Sequence, residues 1–126
     1  MHVDHIDHVV LTVRDIEATC AFYARVLGME VVTFDDGRKA LRFGTQKLNL
    51  HAAGKEFVPH AARPTVGGAD LCFCTDVPME DVVRHLHACG VAIELGPVQR
   101  SGATGPIISL YIRDPDWNLI ELSNAA

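Results

Sequence analysis

Apolar and polar side chains alternate over residues 5–13, with Val9, Leu11 and Val13 on one side and Ile6, His8, Val10 and Thr12 on the other. A period of two predicts a β-strand with one apolar face. The period then lengthens. Asp15 offers an N-cap, Ile16, Cys20, Tyr23 and Leu27 recur at helical spacing, and Gly28 supplies a C-terminal stop. Three strand-like runs follow at 30–35, 38–43 and 46–51, with Asp36-Gly37 and Gly44-Thr45 as turn signals between them. The order is βαβββ.

After a Gly- and Pro-containing stretch the pattern restarts. Residues 70–75 are strand-like, and Pro78 stands near the start of a helix carrying Met79, Val82, Val83, Leu86 and Cys89, closed by Gly90. Gly28 and Gly90 lie 62 positions apart, and the same shift places His8 on Asp70. Strand-like runs recur near 91–95, 107–113 and 119–123. The expected organisation is α+β, with module one at about 1–58, a linker at about 59–68 and module two at about 69–126. A repeat this short can hide its sheet only against the other copy. One domain of two paired βαβββ modules forming a curved mixed sheet is therefore predicted.

The faces carry chemistry. If Val9, Leu11 and Val13 pack under helices, His8, Val10 and Thr12 look the other way. The same logic sends Lys47, Asn49 and His51, then Asp70, Cys72 and Cys74, then Glu121 and Ser123 to the face away from the helices. Two imidazoles and a carboxylate on separate strands, His8, His51 and Glu121, could hold a metal ion and leave coordination positions open. A carboxylate between Ile120 and Leu122 is poorly explained by solvation, because burying it unpaired costs several kcal/mol.

The other histidines read as surface: His2 and His5 near the terminus, His60 in the linker, and His85 and His87 too close in sequence to chelate jointly on a helix. Arg42, Arg100 and Lys39 could bind an anionic substrate, and residues 99–106 could form a mobile lid over it. Trp117 stands in a turn where Asn118 is expected to take the left-handed conformation.

Composition narrows the partners. A net charge of −5 with no basic run argues against nucleic acid or an anionic membrane surface. No apolar run approaches the roughly 18 residues of a membrane span, and no signal peptide is evident. Cys20, Cys72, Cys74 and Cys89 form no spaced framework, so free thiols in a reducing cytoplasm are expected.

Several motifs resemble one known family. Asp7-His8-Val9-Val10-Leu11-Thr12-Val13, Phe22-Tyr23 through Leu27-Gly28-Met29, and the Asp-Pro-Asp-x-Asn-Leu-Ile-Glu run ending at Glu121 are similar to the vicinal oxygen chelate superfamily of glyoxalases, bleomycin-resistance proteins and extradiol dioxygenases. The segments 38–44, 47–51, 94–98 and 102–107 resemble the branch containing glyoxalase domain-containing protein 5 and related bacterial glyoxalase-like proteins. The resemblance implies a metal-binding cup in the paired fold, a divalent ion (Ni, Zn, Mn or Fe(II)), a small-molecule substrate and a homodimer.

Carried over from the family, the ligand positions are His8, His51 or its same-face neighbour Asn49, Asp70 and Glu121. Asp70 departs from the more usual histidine, and His51 from the carboxylate usual in glyoxalase I. The implied function is a metal-dependent glyoxalase-like lyase or isomerase whose substrate chelates the ion through adjacent oxygens. Glu121, or a metal-bound hydroxide, would move the proton; Arg42 and Arg100, read from the residues themselves, are the candidate substrate binders. The alternatives are an Fe(II) extradiol-type dioxygenase and a non-catalytic ligand-binding or resistance protein.

Overall fold

The first alternating run becomes strand β1 (His8–Val13), followed by helix α1 (Ile16–Leu27) and strands β2 (Glu30–Phe34), β3 (Arg38–Phe43) and β4 (Gln46–Ala52). These elements come from a computed structural model that describes all residues, Met1–Ala126. Asp15 caps α1 by accepting a hydrogen bond from the Ala18 N–H at 3.1 Å. At the other end Gly28 takes a left-handed φ of 67°. Its N–H reaches Ala24 O and the Met29 N–H reaches Tyr23 O, both at 3.2 Å. Glycine adopts that conformation without the steric cost of a Cβ, which ends the helix cleanly. The helix buries Thr19, Cys20, Tyr23 and Val26 and packs on β2, β3 and β4.

The sheet of this unit runs β1-β4-β3-β2, with β1 parallel to β4 and the other pairs antiparallel. Leu11, Val13, Leu41, Leu48 and Leu50 are buried, which fixes the apolar side of the sheet. A one-residue slip would turn each of them outward, so the register is strongly determined.

The second half repeats the scheme with β5 (Asp70–Cys74), α2 (Met79–Ala88), β6 (Leu95–Gly102), β7 (Gly105–Arg113) and β8 (Leu119–Ala125). Its sheet runs β5-β8-β7-β6, again with only the outer pair β5·β8 parallel. Leu110, Ile112, Ile120 and Leu122 form its buried side, and α2 buries Val82 and Leu86. The α+β reading with two βαβββ units thus holds. The chain divides into two compact units, Met1–Gly67 and Gly68–Ala126, each with its own four-stranded mixed sheet. No helix is long and apolar enough to cross a membrane.

Three expectations change. Residues 91–94 are not a strand; the sixth strand starts at Leu95 and runs to Gly102. Residues 99–106 are accordingly no lid, because Arg100 pairs with Ile107, Ser101 with Pro106 and Gly102 with Gly105 in a tight hairpin. The left-handed residue of the last turn is Trp117 (φ 71°) and not Asn118. Asn118 is held instead by its side chain, with Nδ2 donating to Asp114 Oδ2 at 2.8 Å and Oδ1 accepting from the Ala69 N–H at 2.9 Å.

Candidate functional site

The register of the first unit decides which side chains can meet. His8 pairs with Lys47, Val10 with Asn49 and Thr12 with His51 across the parallel β1·β4 ladder, and Ala40 faces Asn49 from β3. His8, Asn49 and His51 share the face away from α1, as the alternation predicts. His8 and His51 nevertheless stand four positions apart, about 13 Å along the strands, and their side chains leave the sheet roughly parallel. One ion cannot be held by both. Asn49, two positions from His8 in the register, is the neighbour that can approach it.

His51 has other company. It is buried, its Nε2 lies 3.4 Å from Arg38 Nη2, and its ring packs edge-on against Phe57 with centroids 5.4 Å apart. Burial first, and then the Arg38 cation, push the His51 ring below the ordinary imidazole pKa. The sequence leads one to expect His51 as a metal ligand with His8; here its Nε2 meets the Arg38 guanidinium instead, four register positions away from His8.

His8 keeps a ligand's geometry. Its Nδ1 lies 2.8 Å from Asp7 Oδ1, which leaves Nε2 without a protein partner. A carboxylate on one imidazole nitrogen fixes the ring and raises the basicity of the other nitrogen. The His8 hydrogen bond, in turn, holds the Asp7 carboxyl below its usual range. On the same face, Asn49 Oδ1 is buried with no hydrogen-bond partner.

In the second unit Asp70 pairs with Leu119 and Cys72 with Glu121, so Asp70, Cys72, Glu121 and Ser123 share a face. Tyr111 joins them, opposite Glu121 on β7. Glu121 is half-buried, and Ser123 Oγ lies 3.5 Å from its Oε2. Ser123 is also 2.7 Å from Ser109 Oγ and 3.1 Å from Cys72 Sγ. Burial pushes the Cys72 thiol up, against the hydrogen bond with Ser123. Asp70 is exposed at the start of β5. Counted from the first residue of each unit's first strand, Glu121 corresponds to Asn49 and Ser123 to His51. The repeat thus equates a carboxylate with an amide. No three His, Cys, Asp or Glu side chains of the chain converge on one point.

The expected anion binders are engaged elsewhere. Arg42 pairs with Glu30 across β2·β3 and borders an open cavity of about 460 Å³ with Asp7 and Lys47. Arg100 donates from Nε to Tyr111 Oη at 3.0 Å and stays exposed. Lys39 donates to Thr33 Oγ1 at 2.6 Å on the opposite face from Arg42, because it is an odd-numbered neighbour on β3. Arg38 and Tyr111 escaped the sequence reading. Arg38 could have been found, since it lies four residues before Arg42 on the same alternating face.

Residues 5–122 match the model of the Glyoxalase/Bleomycin resistance protein/Dioxygenase superfamily. The chain belongs to that superfamily. It is 58% identical over 123 residues to virulence protein STM3117 of Salmonella typhimurium, covering 98% of this chain and 85% of the relative. The crystal structure of that protein superposes with a TM-score of 0.99 at 57% identity over 100% of both chains. Glyoxalase domain-containing protein RDO1 of Mycosarcoma maydis is 52% identical over 124 residues, 98% of this chain and 70% of the relative. The crystal structure of lactoylglutathione lyase from Agrobacterium tumefaciens aligns at a TM-score of 0.74 with 25% identity, over 98% of this chain and 95% of that one.

Members of the superfamily bind small molecules and commonly use divalent metals. The first unit offers an imidazole whose Nε2 is free while Nδ1 meets Asp7 and, on the same face, an unpaired buried amide oxygen. The second offers the half-buried Glu121 carboxylate on β8, two positions from Asp70 in its register. Nitrogen and oxygen donors of this mixture suit Zn²⁺, Ni²⁺, Mn²⁺ and Fe²⁺.

Proposed function

We propose that this protein is a metal-dependent glyoxalase-type enzyme acting on a small substrate with two adjacent oxygens. His8 of the first unit, and Glu121 and Asp70 of the second, are the proposed metal donors. Asn49 Oδ1 is a further donor or a contact to the substrate. The observation that carries the reading is the His8 imidazole, anchored at Nδ1 by Asp7 with Nε2 free, on the same sheet face as the unpaired Asn49 Oδ1.

The ion, when bound, supplies Lewis acidity to the two substrate oxygens. Glu121 then has the chemistry of the general base, since a half-buried carboxylate near an open ligand position can take a proton from carbon and return it. Ser123 Oγ lies within 3.5 Å of that carboxylate, and Tyr111 stands opposite it on β7. The free cysteines suit a reducing cytoplasm, and a homodimer completes the proposal.

Chelator-stripped protein reloaded with Ni²⁺ or Zn²⁺ should turn over a glutathione hemithioacetal, and Glu121→Gln should abolish that turnover while the protein stays folded. Oxygen uptake with catechols under Fe(II) in place of hemithioacetal turnover would favour the dioxygenase alternative. Turnover unaffected by stripping and reloading, or a stripped protein that takes up no ion, contradicts the proposal.

A further inference from the structure

The same face of the first unit carries a group of side chains that metal binding leaves unused. Phe34, the last residue of β2, lies under two cations. Lys47 Nζ is 3.9 Å and the Arg38 guanidinium 5.2 Å from its ring centroid. Arg38 also lies 4.3 Å from the centroid of the Phe57 ring. Two ring faces and the His51 Nε2 hydrogen bond therefore set the plane of the guanidinium. Cation–π contacts hold a charge in place without neutralising it.

Neither cation closes an ion pair like Arg42 with Glu30, Arg84 with Asp81 and Arg113 with Glu94, although the Lys47 charge reaches the Asp7 carboxylate. Arg38 Nε is buried and donates to nothing. A fork of donors that is preset in orientation, desolvated on one edge and joined by a second cation has the form of an oxyanion receptor. Phe34 and Phe57 wall it with apolar surface, and Phe57 is itself partly exposed. That wall favours an organic acid over a small hydrated inorganic ion.

We propose that Arg38 and Lys47 form an anion subsite that takes the carboxylate of a small organic acid. Arg38 offers the planar fork to the carboxylate, Lys47 adds a second point charge, and the carbon skeleton lies against Phe57. The subsite needs no metal, so it stands or falls apart from the metal proposal.

The test is an NMR titration of full-length, chelator-treated protein with propionate at constant ionic strength, following the backbone amide resonances of residues 34, 38 and 47 in every variant and the Arg38 Nε–H resonance where Arg38 is present. A carboxylate can itself bind a metal ion, so the chelator-treated protein is checked to be metal-free before the titration. A saturable shift is expected, weakened about tenfold or more in Arg38→Lys, which keeps the charge and loses the fork. Lys47→Gln should weaken it severalfold, and Lys39→Gln, on the opposite face, should leave it unchanged. If Arg38→Lys fails to fold, the Lys47→Gln and Lys39→Gln pair decides. The proposal is overturned by a shift that does not saturate, by one that chloride reproduces, by saturation with phosphate alone, or by Lys47→Gln binding propionate as tightly as wild type.

Discussion

At the scale of single residues, burial and partners separate the two histidines that the sequence made look alike. His51 has a depressed pKa because it is buried against a cation, so the folded state keeps it neutral while an unfolded chain protonates it near its ordinary value of 6.5. The unfolded state then binds more protons below that value, and stability falls as the pH drops through and below about 6.5. Above it the contribution is fully present. Urea denaturation of wild type and His51→Gln between pH 8 and pH 5 should give a shallower acid loss for the variant, because Gln can still accept from Arg38 and carries no titrating group. Equal slopes would remove the Arg38–His51 account. Asp7 acts in the opposite way, through His8. Asp7→Asn should weaken metal binding about 10- to 100-fold with the fold intact, read as the dissociation constant for Zn²⁺ by calorimetry. His8 was legible from alternation and motif. The partnership of His51 was not, because cross-strand register depends on turns that the sequence specifies only in part.

At the scale of elements, the turns explain what pattern reading missed. The sixth strand starts at Leu95, where Gly96 lets the backbone come close to β7. A Cβ there would sit 2.6 Å from Ser109 O and 2.9 Å from Leu110 Cα, at a φ of +105°. Gly96→Ala should therefore destabilise the protein by about 2–4 kcal/mol, measured as a drop in the denaturation midpoint at unchanged m-value. Local apolar pattern pointed to 91–95 instead. That segment is docked by side chains, with the Arg113 fork gripping Glu94 at 2.9 and 3.1 Å. The turn before β8 is a hydrogen-bonded box. Asp114 Oδ1 accepts from the N–H groups of Asp116 and Asn118, both at 2.9 Å, in a buried setting. Asp114→Ala would orphan both donors and should cost roughly 3 kcal/mol. Asp114→Asn, which retains the oxygen, should cost less. The box also shows why Trp117 and not Asn118 takes the left-handed φ: the Asn118 side chain is committed to Asp114 and Ala69.

At the scale of the whole molecule, the repeat was the most legible feature. Both units keep the order βαβββ and the same outer parallel pair, and the helix stops at Gly28 and Gly90 announced them. Equating strands is easier than equating positions within strands. Only the ladders reveal that Asn49, not His51, stands where Glu121 stands in the second unit. The proposed metal donors are His8, Glu121 and Asp70, without His51. The direct measurement is the metal-to-chain ratio of protein purified without added metal and of protein stripped and reloaded, for wild type, His8→Ala, Glu121→Ala and His51→Gln. The expected result is a stoichiometric ion in wild type and in His51→Gln, lost in His8→Ala and Glu121→Ala. A wild type that holds no ion even after reloading, or a His51→Gln variant that loses it as His8→Ala does, would contradict the account.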